Sequence, residues 1–376
     1  MSETSLPRRG RFRLSPVTVI AAALILVAVA ITLSFFERIP IENMPGFAID
    51  WKSLYNGLAG GHIVYKGGSV MIAPWSLPVV VPLGFLSLHA GWGMLALMTA
   101  TVLVLSVPRR RSFGLYLLSI IALITSWPAI RQIVDGNFEV LVIAGALLVV
   151  YGYRRQRLVI LAAGLLLATA KPQETWLMML VLAVYLWRTL TRRQLLQLAA
   201  MLLIVIVPAL LLFGGSWIGA MRGIIPAPGP DNPVDISLWA SLGRLGVSAW
   251  IVGVVWLLGV AATLYVTLAG KPTLSRDKAG MLIAASLVFS PYAAGDSFLT
   301  VLAIGIIPML QTRPRVGWIL LLLTDLQYVL PHDFLFANGA YYWTAMLILV
   351  WAIWMQQFFR SEVQHPSVGE ELMGAI

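Results

Sequence analysis

Cysteine is absent from this 376-residue chain, and charge is scarce: Asp, Glu, Lys and Arg together make up 11% of it. The first absence excludes disulfides, zinc–thiolate sites and thiol nucleophiles. The second excludes an ordinary soluble domain, in which roughly 25% of residues are charged. Histidine is rare too, and His62, His89 and His332 are too scattered to form a metal site visible in the sequence. No P-loop, HExxH or Asp-x-Asp occurs, so ATP hydrolysis, zincin proteolysis and metal–nucleotide-sugar chemistry lack their usual parts. An acyltransferase would need a histidine beside an acid, and His332–Asp333, which reads as an interfacial pair, is the one candidate.

What is present is apolar. Hydrophobic residues make up 59% of the chain and the mean hydropathy is +0.87. The solvent for most of that surface is lipid, and the class is an all-α polytopic membrane protein. The net charge of +10 invites a nucleic-acid reading, but its distribution argues otherwise. Basic clusters precede the first apolar run (Arg8 to Arg13) and recur at 109–111, 154–157, 188–193, 271–278 and 313–315, with Arg360 near the end. Nineteen of the 26 Lys and Arg residues sit in them, where the positive-inside rule puts cytoplasmic loops. The charge reports topology, and no nucleic-acid partner is expected. Residues 16–36 are too long for a signal-peptide core, and no small-residue cleavage site follows "LSFFERIP". A retained first helix is expected.

With the clusters inside, the apolar runs predict about twelve crossings and two cytoplasmic ends. A tail at 1–15 precedes one transmembrane domain at 16–360, and a second tail occupies 361–376. The domain carries a first external loop at 37–73 and another at 214–246. The return at 74–107 is too long for one span of roughly 20 residues and contains Pro74, Pro78 and Pro82, so it divides into an interfacial piece and a true helix. Short runs follow at 112–128 and 138–153, joined by "AIRQIVDGNFE", and at 158–171 and 174–188, joined by "KPQE". Their shortness predicts broken or tilted helices around a cavity.

Four stretches carry chemistry. In "GFAIDWKSLYNGLAGGHIVY", Asp50 is either a general base at the membrane surface or the N-cap of the helix that follows. "RQIVDGNFE" contains an Asp-Gly-Asn turn signal, and an ion pair between Arg131 and Glu139 would explain both charges. In "ATAKPQETW", Lys171 ends an apolar run before a proline; it either snorkels or neutralises a lipid phosphate. In "FSPYAAGDSF", Asp296 either caps the next helix or faces a cavity as a hydroxyl ligand.

The order of these features resembles a known family. An external Asp after helix one is followed by "Y…G…Y", a Pro-rich return, "GNFE", "AKPQ", "DISLWASLGR" and "SPY…D". Over about residues 16–330 this is similar to the GT-C glycosyltransferases that use polyprenol-phosphate sugars, and most of all to glycosyltransferase family 87, which includes α-(1→2)-mannosyltransferases. The match consists of ordered short motifs. "AAGDS" stands where the family has histidines, and Asp235 or Ile236 where it has Asn or Gln.

The resemblance implies a plasma-membrane enzyme with its site on the external face. It would move mannose or another hexose or pentose from a polyprenyl-phosphate donor to a glycolipid or glycan acceptor, with inversion. It implies no metal or other cofactor. Asp50 becomes the catalytic base, and Lys171, Arg131, Arg222 and Arg244 are cations for the donor phosphate. Tyr55, His62, Tyr65, Asn137, Glu139, Gln173, Tyr292 and Asp296 become substrate contacts. Two other readings remain open: a transporter or lipid flippase, and a non-catalytic GT-C-like subunit. Against the former, no paired Gly/Pro-broken segments repeat between the halves.

Overall fold

The computed structural model describes residues 16–44, 46–59, 72–109, 112–224, 235–330 and 332–364. Among them there is no β-strand; the architecture is all-helical. In chain order the helices are α1 (Pro16–Phe36), α2 (Ile49–Ala59), α3 (Leu88–Ser106), α4 (Phe113–Ile124), α5 (Trp127–Asp135), α6 (Glu139–Arg154), α7 (Leu158–Ala168), α8 (Pro172–Thr189), α9 (Arg192–Ile224), α10 (Leu238–Arg244), α11 (Ala249–Ala269) and α12 (Arg276–Val288). An interrupted helix α13 (Gly295–Thr312), α14 (Pro314–Asp325) and α15 (His332–Phe358) complete the bundle.

Local chemistry sets many of these boundaries. Ser87, Ser112, Ser126, Ser237 and Ser275 each accept a hydrogen bond from the backbone N–H three residues on, satisfying a donor that a helix start leaves free. Pro172 and Pro314 open α8 and α14, where a missing N–H costs nothing. The Pro-rich return divides as expected, into short turns over 74–85 and the long α3.

Among the described residues, five helices are long and apolar enough to cross a membrane: Leu88–Ser106, Arg192–Ala220, Ala249–Ala269, Gly295–Thr312 and Asn338–Ser361. The pair α4 and α5 makes a sixth if it counts as one span bent by 49°. Ser126 starts a new helix at the bend, and Pro128 cannot donate to the turn before it. The segment "AIRQIVDGNFE", expected to be a plain connection, is thus mostly the helix α5. Likewise 214–224, expected to be external loop, continues α9.

The centre of the bundle is α12 and α13. Every residue from Lys278 to Ser290 and from Ser297 to Gln311 is buried. Midway, α13 widens to a π-helix over Leu302–Ile306, just before Pro308, whose ring removes the N–H that would bond to Ile304. By contrast α9 lies at the periphery, with Ile204 and Leu211 about as exposed as side chains become. It is also the longest of the helices suited by length and composition to cross a membrane among the described residues.

Candidate active site

A cavity of about 490 Å³ opens among α2, α5, the turn at 136–138, the α7–α8 link, the bridged segments at 235–236 and 292–294, the first turn of α13, and α15. Asp50, Arg131, Asn137, Lys171, Gln173, Tyr292 and Asp296 all lie on its wall. They come from sequence segments up to 246 residues apart, so the fold assembles them.

Asp50 reaches the wall because its neighbour is anchored. Trp51 is fully buried and donates from Nε1 to the Leu88 carbonyl at 2.7 Å. Ahead of α2, the Ala48 amide donates to the Val134 carbonyl at 2.7 Å, tying the helix start to α5. Gly136 makes this approach possible. It ends α5 in the left-handed region at φ 65°, and a β-carbon there would sit 2.7 Å from Trp51 Cβ. The Asp-Gly-Asn turn signal therefore has a packing reason as well as a conformational one.

Asp50 itself lies in the first turn of α2 and does not cap it, because the helix begins one residue earlier. It is half-buried, and among the described residues its carboxylate accepts no hydrogen bond. Burial pushes its pKa up to about 7, and the negative charge of Asp296 adds to the shift, partly offset by Lys171.

Lys171 does not snorkel. It is only 7% exposed, and four oxygens surround its ammonium. Glu139 Oε1 lies at 2.7 Å, Asn137 Oδ1 at 2.9 Å, Asp296 Oδ2 at 3.3 Å and Glu174 Oε1 at 3.6 Å. The expected Arg131–Glu139 pair is replaced by two others. Arg131 pairs with Asp135 one turn along α5 at 3.0 Å, while Glu139, beyond the Gly136 turn, points inward to Lys171 and accepts from Thr300 Oγ1 at 2.7 Å. Glu174 accepts from Ser297 Oγ at 2.7 Å. Asp296 accepts from the Asn137 amide and does not cap α13. The "GNFE", "AKPQ" and "GDS" motifs form one buried polar knot, and Glu139 lies within it, off the cavity wall.

Two further motifs clasp beside it. Asp235 Oδ1 accepts from the amides of Ser237 (2.9 Å) and Ala293 (3.1 Å), and Ile236 N donates to the Ala293 carbonyl at 2.7 Å. This isolated antiparallel bridge holds the "DIS" and "SPY" segments together. Arg244 closes the clasp, donating to the Asp235 carbonyl at 2.8 Å and lying 5.8 Å from the Tyr341 ring centroid. It is not on the cavity wall. Neither is Tyr55, which packs on Trp51. His62 and Tyr65, and the side chains of Arg222, His332 and Asp333, lie outside the described residues.

Sequence reasoning missed Trp127, Gln327 and Trp343, which also line the cavity. Aromatic and amide side chains in apolar helices look like packing, and nothing in their spacing marks them. Among the described residues, no group of three or more His, Asp or Glu side chains is arranged to hold a metal ion. Comparison with protein-family models, curated proteins and solved structures finds no match to this chain.

Proposed function

We propose that this chain is a membrane glycosyltransferase of the GT-C type, similar to family 87. In this reading it crosses the plasma membrane about twelve times with both ends in the cytoplasm, the shorter helices lying in locally thinned bilayer or meeting as broken spans. The site faces outward. The donor is a polyprenyl-phosphate sugar, mannose or another hexose or pentose, and the acceptor a hydroxyl of a glycolipid or glycan.

The observation that carries this reading is Asp50: a carboxylate with no hydrogen-bond partner among the described residues, on a cavity wall, with a proton affinity near neutrality. That is the state a general base needs. Asp50 takes the proton of the acceptor hydroxyl as its oxygen attacks C1 of the sugar. The C1–O bond to phosphate breaks, the polyprenyl phosphate leaves with the electron pair, and configuration at C1 inverts.

In this reading the cations divide by exposure. Lys171 already serves three carboxylates, so its role is to position Asp296 and Asn137. Arg131, with its side chain 45% exposed at the cavity, is the group that meets the donor phosphate. The test is transfer from a polyprenyl-phosphate sugar by purified Asp50→Asn protein. Loss of transfer with expression and folding intact supports the reading; transfer at the normal rate removes it. Comparing envelope glycolipids and glycans with and without the gene identifies the product.

A second reading is a transporter or flippase, favoured by one observation: carboxylates outnumber cations around the cavity, which suits a cationic cargo. It predicts substrate-dependent flux in liposomes with no covalent product.

A further inference from the structure

The cavity has two properties that a base and a leaving-group cation do not by themselves require. The first is its charge. Asp50, Asp135 and Asp296 lie on the wall, and Glu139 and Glu174 lie directly beneath Lys171. Against five carboxylates stand two cations, Lys171 and Arg131, and each is already in contact with an acid. Burial and the charge of Asp296 hold the Asp50 carboxyl up at about 7, so it is partly protonated at neutral pH. The wall is acidic all the same.

The second property is unmatched hydrogen-bonding capacity. Tyr292 and Gln327 are each only 7% exposed, and among the described residues neither side chain has a hydrogen-bond partner. Gln173 is half-buried on the same wall, and its Oε1 is without a hydrogen-bond partner. Burial holds the Tyr292 phenol up at about 12, so it remains a donor. Polar side chains that line a cavity and have no protein partner are free to bond what enters it, and a few such groups fix a ligand's orientation. Donors and acceptors in mixture, beside the rings of Trp127 and Trp343, match a polyhydroxylated ring with one apolar face.

We propose that the acceptor side of this cavity selects a polyhydroxylated group carrying an amine, accepts a neutral one, and rejects one carrying an acid, with Asp296 and Asp135 as the residues that set this order. The proposal deepens the glycosyl-transfer reading and rests on it in calling the occupant an acceptor. The charge rule also has a chemical side. An acid beside Asp50 would raise its proton affinity further and keep it from acting as a base, whereas an ammonium would release it.

Three methyl glycosides of one hexose serve as probes: the neutral glucopyranoside, its 2-amino-2-deoxy analogue and the glucuronide. Their binding to the full chain in nanodiscs is measured by saturation-transfer NMR below the pKa of the amine. The expected order is amine, then neutral, then acid, with about tenfold between the ends. Asp296→Asn narrows that ratio to about threefold or less, and Asp135→Asn serves as the second variant if the first does not fold. Equal or tighter binding of the glucuronide, no saturable binding of any probe, or an order untouched in a folded variant overturns the proposal. The ordered binding without transfer to any acceptor would uphold the charge rule and remove glycosyl transfer. Transfer to an acidic glycan in preference to an amino one would do the reverse.

Discussion

Lys171 Nζ and Glu139 Oε1 lie 2.7 Å apart, both side chains withdrawn from solvent, and this contact ties the α7–α8 link to the start of α6. It is the innermost contact of a knot that also holds Asn137, Glu174 and Asp296. A charge pair in such a place is weak evidence for stability but strong evidence for dependence, because removing one partner strands the other.

Lys171→Met is therefore expected to destabilise the protein by roughly 3–5 kcal/mol. Adding Glu139→Gln to that variant should recover part of the loss, since one stranded carboxylate is then neutral. Thermal unfolding in detergent or nanodiscs measures both. If Lys171→Met melted at the parent temperature, the knot would not be holding the site.

Asp50 makes a prediction of opposite sign. Its pKa in the folded protein is about 7, against an ordinary value of 3.8. Between these values the folded chain binds more protons than the unfolded one, so this residue's contribution to stability is lost as pH rises through 7. Asp50→Asn should stabilise the protein at pH 8, by at most about 4 kcal/mol, and leave it nearly unchanged near pH 4. A destabilised variant at pH 8 would mean that Asp50 has a structural partner.

Transfer should titrate with the same group. Below pH 7 the fraction of ionised base falls, so kcat/KM should drop about tenfold per unit toward acid. In Asp296→Asn the midpoint should move to lower pH, because one of the charges that hold the Asp50 proton is gone. A profile flat from pH 5 to 8 would separate Asp50 from the chemistry.

Gly136→Ala tests how Asp50 is placed. The new methyl group would meet Trp51 Cβ at 2.7 Å in a left-handed conformation. We expect a loss of roughly 1–3 kcal/mol. Activity should fall as well, because the start of α2 would be pushed off α5. Unfolding and transfer, measured on the same preparation, check the two effects together.

Much of the helical framework was legible in the sequence. Prolines divide the 74–107 return where the helices in fact divide, whereas the serine caps at Ser87, Ser126 and Ser237 were not picked out from the sequence. Within the site, the motifs "GNFE", "AKPQ" and "SPY…D" could be picked out as polar islands in apolar surroundings. Their partners could not. Arg131 and Glu139, eight residues apart, looked like a pair, but the Gly136 turn sends them in different directions. Lys171 looked like a snorkelling or phosphate-binding cation, because a sequence does not show that three acids from α6, α8 and the start of α13 converge on it.

From its amino acids alone, this chain reads as helices suited to lipid: charge is scarce, and long apolar runs can satisfy their own backbone only as helices. The same sequence marks where polar groups interrupt the apolar runs. Which carboxylate meets which cation, and that Asp50 is left without a partner among the described residues while Lys171 is surrounded, was decided only by tertiary packing. The reason is that charge pairing acts through space over a few ångströms, and the distances are set by how Trp51, Gly136 and the crossing of buried helices bring remote segments together.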